Sequence, residues 1–218
     1  MSTRERLRSN DLRFLTVAAT LRPEEWSAQS LCTDWTNQEV LAHLVVGYSC
    51  AVGAFAAEMG RHRGAFNRAN TALACVNASS RTPAELLADF AEFIERPVGI
   101  GRYFPRRLLL GDHVTHELDI LLAVDRQPTI ADDALVDVLT TQVSVPNPFV
   151  PAFRNSRGLL LVATDVHWTH GAGPVVEGRA ADLVSVLGNR PSALAALSGD
   201  GLPTLSERVL SRRSRTGG

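Results

Sequence analysis

The stretch Leu108 to Val124, LLLGDHVTHELDILLAV, constrains this chain more than any other. Leu109, Leu110, Val114, Leu118, Leu121 and Leu122 recur at three and four residues, which predicts a helix with a buried stripe. Asp112, His113, His116, Glu117 and Asp119 stand in that apolar context. Such groups cost free energy to bury unless they are paired or coordinate a metal, so their density here needs a reason. At about 100° per residue, Asp112 and His116 lie one above the other at i,i+4, and Asp119 falls within about 60° of both. One face therefore carries a carboxylate, an imidazole and a second carboxylate.

The rest of the chain sets the context. Its 218 residues can bury a substantial core, and 22 basic residues balance 23 acidic ones. That balance gives no electrostatic footprint for nucleic acid or an anionic membrane, so the expected partners are small molecules, with the chain a monomer or homodimer. Cys32, Cys50 and Cys75 are odd in number and lack CxxC spacing, which argues against a disulfide framework and a thiolate metal site. With no signal-like N-terminus and no apolar run of about 18 residues, a cytoplasmic protein is expected.

Taken in order, Glu5 to Leu21 reads as an amphipathic helix stopped by Pro23, and Pro23 to Thr36 as irregular. Thr36-Asn37-Gln38-Glu39 has the form of a capping box and opens a helix expected to run to about Met59, with His43 in its apolar first half. Residues 60–81 read as a loop with a short helical turn near Ala69 to Val76. Thr82-Pro83-Ala84-Glu85 is a second capping box, with Pro at the first helical position. Its helix should reach about Ile94, and the Leu108 helix should end near Asp125. Another helix is expected from Asp132 to Val145. Pro146, Pro148 and Pro151 then mark a boundary, so residues 1–150 and 151–218 are expected to be separate domains. Beyond it, Gly158 to Ala163 and Pro174 to Val176 read as strands, and Arg179 to Leu187, Pro191 to Leu197 and Pro203 to Leu210 as helices, ahead of a basic, frayed tail.

Long helices joined by loops imply an antiparallel bundle, whose core is where facing helices assemble metal sites. His43, Asp112 and His116 would supply two imidazoles and a carboxylate, the three-ligand, open-position set of a catalytic zinc centre. Asp119 could accept a hydrogen bond from the free N–H of a ligand histidine. His113 could replace Asp112 as a ligand or support it from beside. The plainer alternative is a solvated stripe of i,i+4 pairs. His167 and His170, in HWTH, read as surface or turn residues.

Three stretches give the chain a resemblance to a known family. They are LCTDWTNQEVLAHLV, with Trp35 and His43 in a W-T-x-x-x-x-x-x-H pattern; GDHVTHELDI, an acidic-x-x-x-H-x-x-D segment; and ATDVHWTHGAGPVVEGRAADLVSVLGNRPSALAALSGDG. In that order they resemble the mycothiol-dependent maleylpyruvate isomerase-like proteins of actinobacteria. The resemblance implies an α+β, predominantly helical fold, a DinB-like antiparallel four-helix bundle followed by a small C-terminal α/β domain. It further implies that His43, Asp112 and His116 bind a divalent metal, with zinc the expected ion, and that an arginine of the second domain contributes to activity, with Arg190 the nearest match. Asp112 stands where the best-known form of the family has Glu, one methylene longer. The implied function is a metal-dependent thiol enzyme, in which a low-molecular-weight thiol such as mycothiol attacks an electrophilic small molecule, as an isomerase or S-transferase. The alternative is an inactive metal- or small-ligand-binding module of the same fold.

Overall fold

Ser2, Thr36 and Thr82 each accept a hydrogen bond from the backbone N–H three residues on, and Glu5, Glu39 and Glu85 return a carboxylate to the cap N–H at 2.7 Å. These reciprocal caps satisfy N–H groups that a helix start leaves free, and they begin α1 (Thr3–Ala18), α3 (Asn37–Ser49) and α6 (Pro83–Glu95). The computed structural model describes residues 1–147 and 150–216, so Pro148 of the proline cluster and the last two tail residues lie outside the described residues. Between the capped helices lie α2 (Pro23–Ser27), α4 (Val52–Arg61) and α5 (Phe66–Ser80), and α7 (Arg106–Leu121) follows. Later come α8 (Asp132–Ser144), α9 (Ala152–Asn155), β1 (Leu160–Ala163), β2 (Thr169–Gly171), β3 (Val175–Gly178), α10 (Ala180–Leu187) and α11 (Leu202–Thr216).

The chain divides into two units, Met1–Gln127 and Pro128–Gly218. In the first, α1 packs on α6 and α7, and α3 packs on the same two, which closes a four-helix bundle; α5 lies against α3. Phe14, Leu41, Leu44, Leu86, Phe90, Ile120 and Leu121 fill its interior. From Leu109 to Leu121 every residue of α7 is buried except Asp112, so the acidic and imidazole residues do not form a solvated stripe. A helix covered on nearly all sides has no strong apolar stripe to display, and its polar side chains must find partners inside.

Several sequence expectations are corrected here. The helix from Thr36 does not continue to Met59, because the N–H groups of Val98 and Gly99 take the Tyr48 carbonyl and that of Ile100 takes the Cys50 carbonyl. This close approach needs glycine: a Cβ at Gly101 would stand 2.2 Å from the Gly47 oxygen. Residues 66–80 form a full helix rather than a loop, with Ala69, Ala74 and Ala78 as its buried face. Small side chains let α5 lie close to α3 while leaving little apolar signal in the sequence. The expected boundary at 150 also differs from the division after Gln127, because α8 packs on α9 and α10 of the second unit rather than in the bundle.

In the second unit the sheet order is β2-β1-β3. β1 pairs antiparallel with β2, Leu161 opposite His170, and parallel with β3, Leu161 opposite Val176. The Trp168 indole donates to Thr140 Oγ1 at 3.0 Å, tying the hairpin to α8. The sequence carries no strand signal for β2, which is only three residues long with Thr169 and Gly171 exposed. No helix among the described residues is long and apolar enough to cross a membrane.

Candidate metal centre

The capping box at Thr36 fixes where α3 starts and so places His43 on its second turn, facing α7. Asp112 and His116, one turn apart on α7, meet it there. Ligand atoms of His43, Asp112 and His116 all lie within 4.8 Å of one another. His43 Nε2 is 3.3 Å from one Asp112 oxygen and His116 Nε2 is 3.5 Å from the other. Bonds of about 2.0–2.2 Å in a tetrahedral site would separate ligand atoms by roughly 3.3–3.6 Å. The donor set and its spacing therefore fit a divalent ion of zinc type.

The far side of each imidazole is already engaged. His116 Nδ1 donates to Asp119 Oδ2 at 3.0 Å, and Asn70 Oδ1, from α5, faces His43 Nδ1 at 3.1 Å. A proton on each Nδ1 leaves the Nε2 lone pairs directed at the Asp112 carboxylate. Lone pairs facing a carboxylate at such distances repel unless a cation lies between them. Asp119 is fully buried, whereas the Asp112 side chain is 39% exposed, so the cluster is closed at its back and open at the carboxylate.

The electrostatics agree with this arrangement. Burial by itself would raise the Asp112 carboxyl, yet positive charge at the neighbouring His43 and His116 imidazoles holds it well below the ordinary carboxylate range, and a bound cation would supply the same charge to neutral rings. Burial dominates at His116 and pushes its imidazole down, against the pull of Asp112 and Asp119. A neutral imidazole with an available lone pair is the form that binds metal.

Trp35 packs against both imidazoles. Its ring stacks on His43 with centroids 5.0 Å apart and lies 5.7 Å from that of His116. The turn carrying it is pinned to α7, with Leu31 N–H donating to the Asp119 carbonyl at 3.1 Å.

His113 is turned away from this cluster. Its Nδ1 is 2.8 Å from Asp11 Oδ1, its ring packs on Tyr48 and Phe90, and Tyr48 OH donates to the other Asp11 oxygen at 2.6 Å. Glu117 is paired with Arg13 of α1. Neither belongs to the group that could hold a metal. Arg190 lies in the second unit, after Asn189 in the left-handed region (φ 68°), and its Nη1 donates to the Gly188 carbonyl at 2.5 Å. His170, in β2, stacks on Trp168, which precedes the strand.

Asn70 is not legible as a site residue in the sequence, because residues 60–81 read as a loop there. The four alanines between Ala69 and Ala78, a residue of high helix propensity, were the available signal.

Residues 7–99 match the family model for the mycothiol maleylpyruvate isomerase N-terminal domain. That match includes Trp35, His43 and Asn70 and ends before α7. No curated protein sequence matches the chain. Among solved structures, the crystal structure of the mycothiol-dependent maleylpyruvate isomerase superposes with a TM-score of 0.54 at 14% identity, covering 92% of this chain and 93% of that one. A histidine-to-alanine mutant of that isomerase gives a TM-score of 0.53 at 13% identity with the same coverage. At such identity the likeness establishes a shared fold, a helical bundle with a small α/β part.

Proposed function

For a chain that carries the mycothiol maleylpyruvate isomerase N-terminal domain and shares the fold of that isomerase, we propose a zinc-type, metal-dependent thiol enzyme. It activates a low-molecular-weight thiol such as mycothiol for attack on an electrophilic small molecule, in an isomerase or S-transferase reaction. The observation that carries the reading is the convergence of two imidazole Nε2 atoms and one carboxylate, with both Nδ1 atoms already engaged.

His43, Asp112 and His116 would hold the ion. When bound, a divalent cation in such a site supplies Lewis acidity that favours the thiolate, the nucleophilic form of a thiol, at neutral pH. Three protein ligands leave one position for an exogenous group. Asp119 and Asn70 hold the imidazole rings in register and fix which nitrogen carries the proton. The partly exposed side of Asp112 is the face from which thiol and electrophile approach. Arg190 is the residue of the second unit proposed to contribute to activity.

The test uses the cobalt-substituted protein, since sulfur ligation adds a charge-transfer absorption that nitrogen and oxygen ligands lack. Purified protein should bind close to one divalent ion per chain, mycothiol should produce the absorption, and an electrophile should disappear in a thiol-dependent way. No metal uptake on titration, or no spectral response to any thiol, overturns the reading. Thiol binding without turnover would instead assign the chain as a binding module.

A further inference from the structure

Trp35 is 6% exposed, and its indole Nε1–H is buried with no acceptor among the described residues. An indole N–H can only donate, and a buried donor left unmade costs free energy, so such groups normally have partners. Trp168 in the same chain shows the ordinary case, its N–H meeting Thr140 Oγ1 at 3.0 Å. Trp35 differs in being packed on the candidate metal centre, against both His43 and His116.

The backbone that carries the Trp35 ring is held on several sides. Its carbonyl accepts from Ser30 N at 3.1 Å, Ser30 Oγ at 2.7 Å and Gln29 Nε2 at 2.7 Å, and its own N–H donates to the Cys32 carbonyl at 3.1 Å. The Leu31 contact to the Asp119 carbonyl ties the same turn to α7. An unpartnered donor on a ring packed against both ligand imidazoles suits an acceptor that arrives at the cluster from outside.

Resting on the thiol reading above, we propose that the Trp35 indole N–H donates a hydrogen bond to the sulfur of the thiol seated at the His43–Asp112–His116 site. Trp35 is thereby a binding and specificity residue: it stabilises an anionic sulfur and offers nothing to an S-alkylated form that cannot become a thiolate. Its ring also walls the imidazoles from water, which strengthens that hydrogen bond.

Indole 15N–1H spectra of the zinc-loaded full chain test this, with the Trp35 signal assigned by its loss in Trp35→Phe. Mycothiol should move that signal downfield and slow its exchange with solvent, whereas zinc alone and S-methyl mycothiol should not. Trp35→Phe keeps an aromatic ring on His43; it should retain one metal per chain and bind mycothiol on the order of 10-fold more weakly. The cobalt absorption separates the two levels of failure. If the absorption forms while the Trp35 signal stays still, or Trp35→Phe binds mycothiol as tightly as the native chain, the donor role is overturned and the thiol reading stands. A signal moved fully by zinc alone assigns the acceptor to water and likewise overturns it. With no absorption in the native chain, both fall.

Discussion

Two faces of α7 carry the same residue types and do opposite things. On one, His113 and Glu117 point toward α1 and are closed off: His113 meets Asp11, which also takes the Tyr48 hydroxyl, and Glu117 meets Arg13. On the other, Asp112 and His116 turn toward α3, where His43 adds a second imidazole and Asp112 remains partly exposed. Burial alone would lower His113, but Asp11 overrides it and holds that imidazole above the ordinary range, as in an ion pair. His116 is pushed the other way. A histidine matched to one carboxylate within the protein is a structural pair. Two histidines whose outer nitrogens are already satisfied, sharing one carboxylate, keep coordination capacity for something outside the chain.

The contrast predicts a double dissociation. The largest effect belongs to the open face: His43→Ala should take bound metal from about one ion per chain to none by elemental analysis. The same variant should lose only about 1 kcal/mol of metal-free stability, since its ring is partly exposed. On the closed face, Asp11→Ala leaves the buried His113 and Tyr48 without their shared acceptor and should cost about 3–5 kcal/mol in urea unfolding. The variant that remains folded should still bind metal. Equal loss of metal and stability in both variants would erase the distinction between the faces.

A smaller effect sharpens the role of the residues behind the ligands. Asp119→Asn should weaken metal binding about 10- to 100-fold by competitive chelator titration while leaving the stoichiometry at saturation unchanged. An unchanged affinity would remove Asp119 from any part in holding His116.

The smallest effect provides a control away from α7. Arg126 bonds Glu25 at 2.8 and 2.9 Å, and with the Arg22 N–H it lowers the Glu25 carboxyl from 4.5 to about 2. A carboxylate lowered on folding contributes stability that is present above pH 4.5 and lost as pH falls toward about 2. Arg126→Met should therefore be less stable than the native chain near neutrality, with the difference shrinking across that window. Urea unfolding at a series of pH values, without metal, measures it, and a difference that grows toward pH 2 would contradict the assignment.

Much of this molecule can be read in its sequence, because the relevant signals are local. Thr36 with Glu39 and Thr82 with Glu85 predict helix starts from chemistry within four residues, and both caps form. The i,i+4 spacing of Asp112 and His116 follows from helix geometry alone, so those two share a face wherever α7 packs. The β-forming runs Gly158 to Ala163 and Pro174 to Val176 predict strands from local composition, and β1 and β3 form there. What local signals do not carry is which neighbour each face meets. His113 is only one residue from Asp112, yet that step turns it by about 100°, and the positions of α1 and α3 then decide that one joins an ion pair and the other the open cluster. Asn70 reaches His43 from a helix whose small buried face resembles a loop in sequence, and the Trp35 stack depends on a turn anchored to the Asp119 carbonyl. α8 follows the same logic: its apolar residues specify burial but not a partner, and packing places it with α10 rather than in the bundle. Local sequence specifies backbone form and the spacing of groups along one element; only packing among elements distant in sequence decides which groups come within bonding distance.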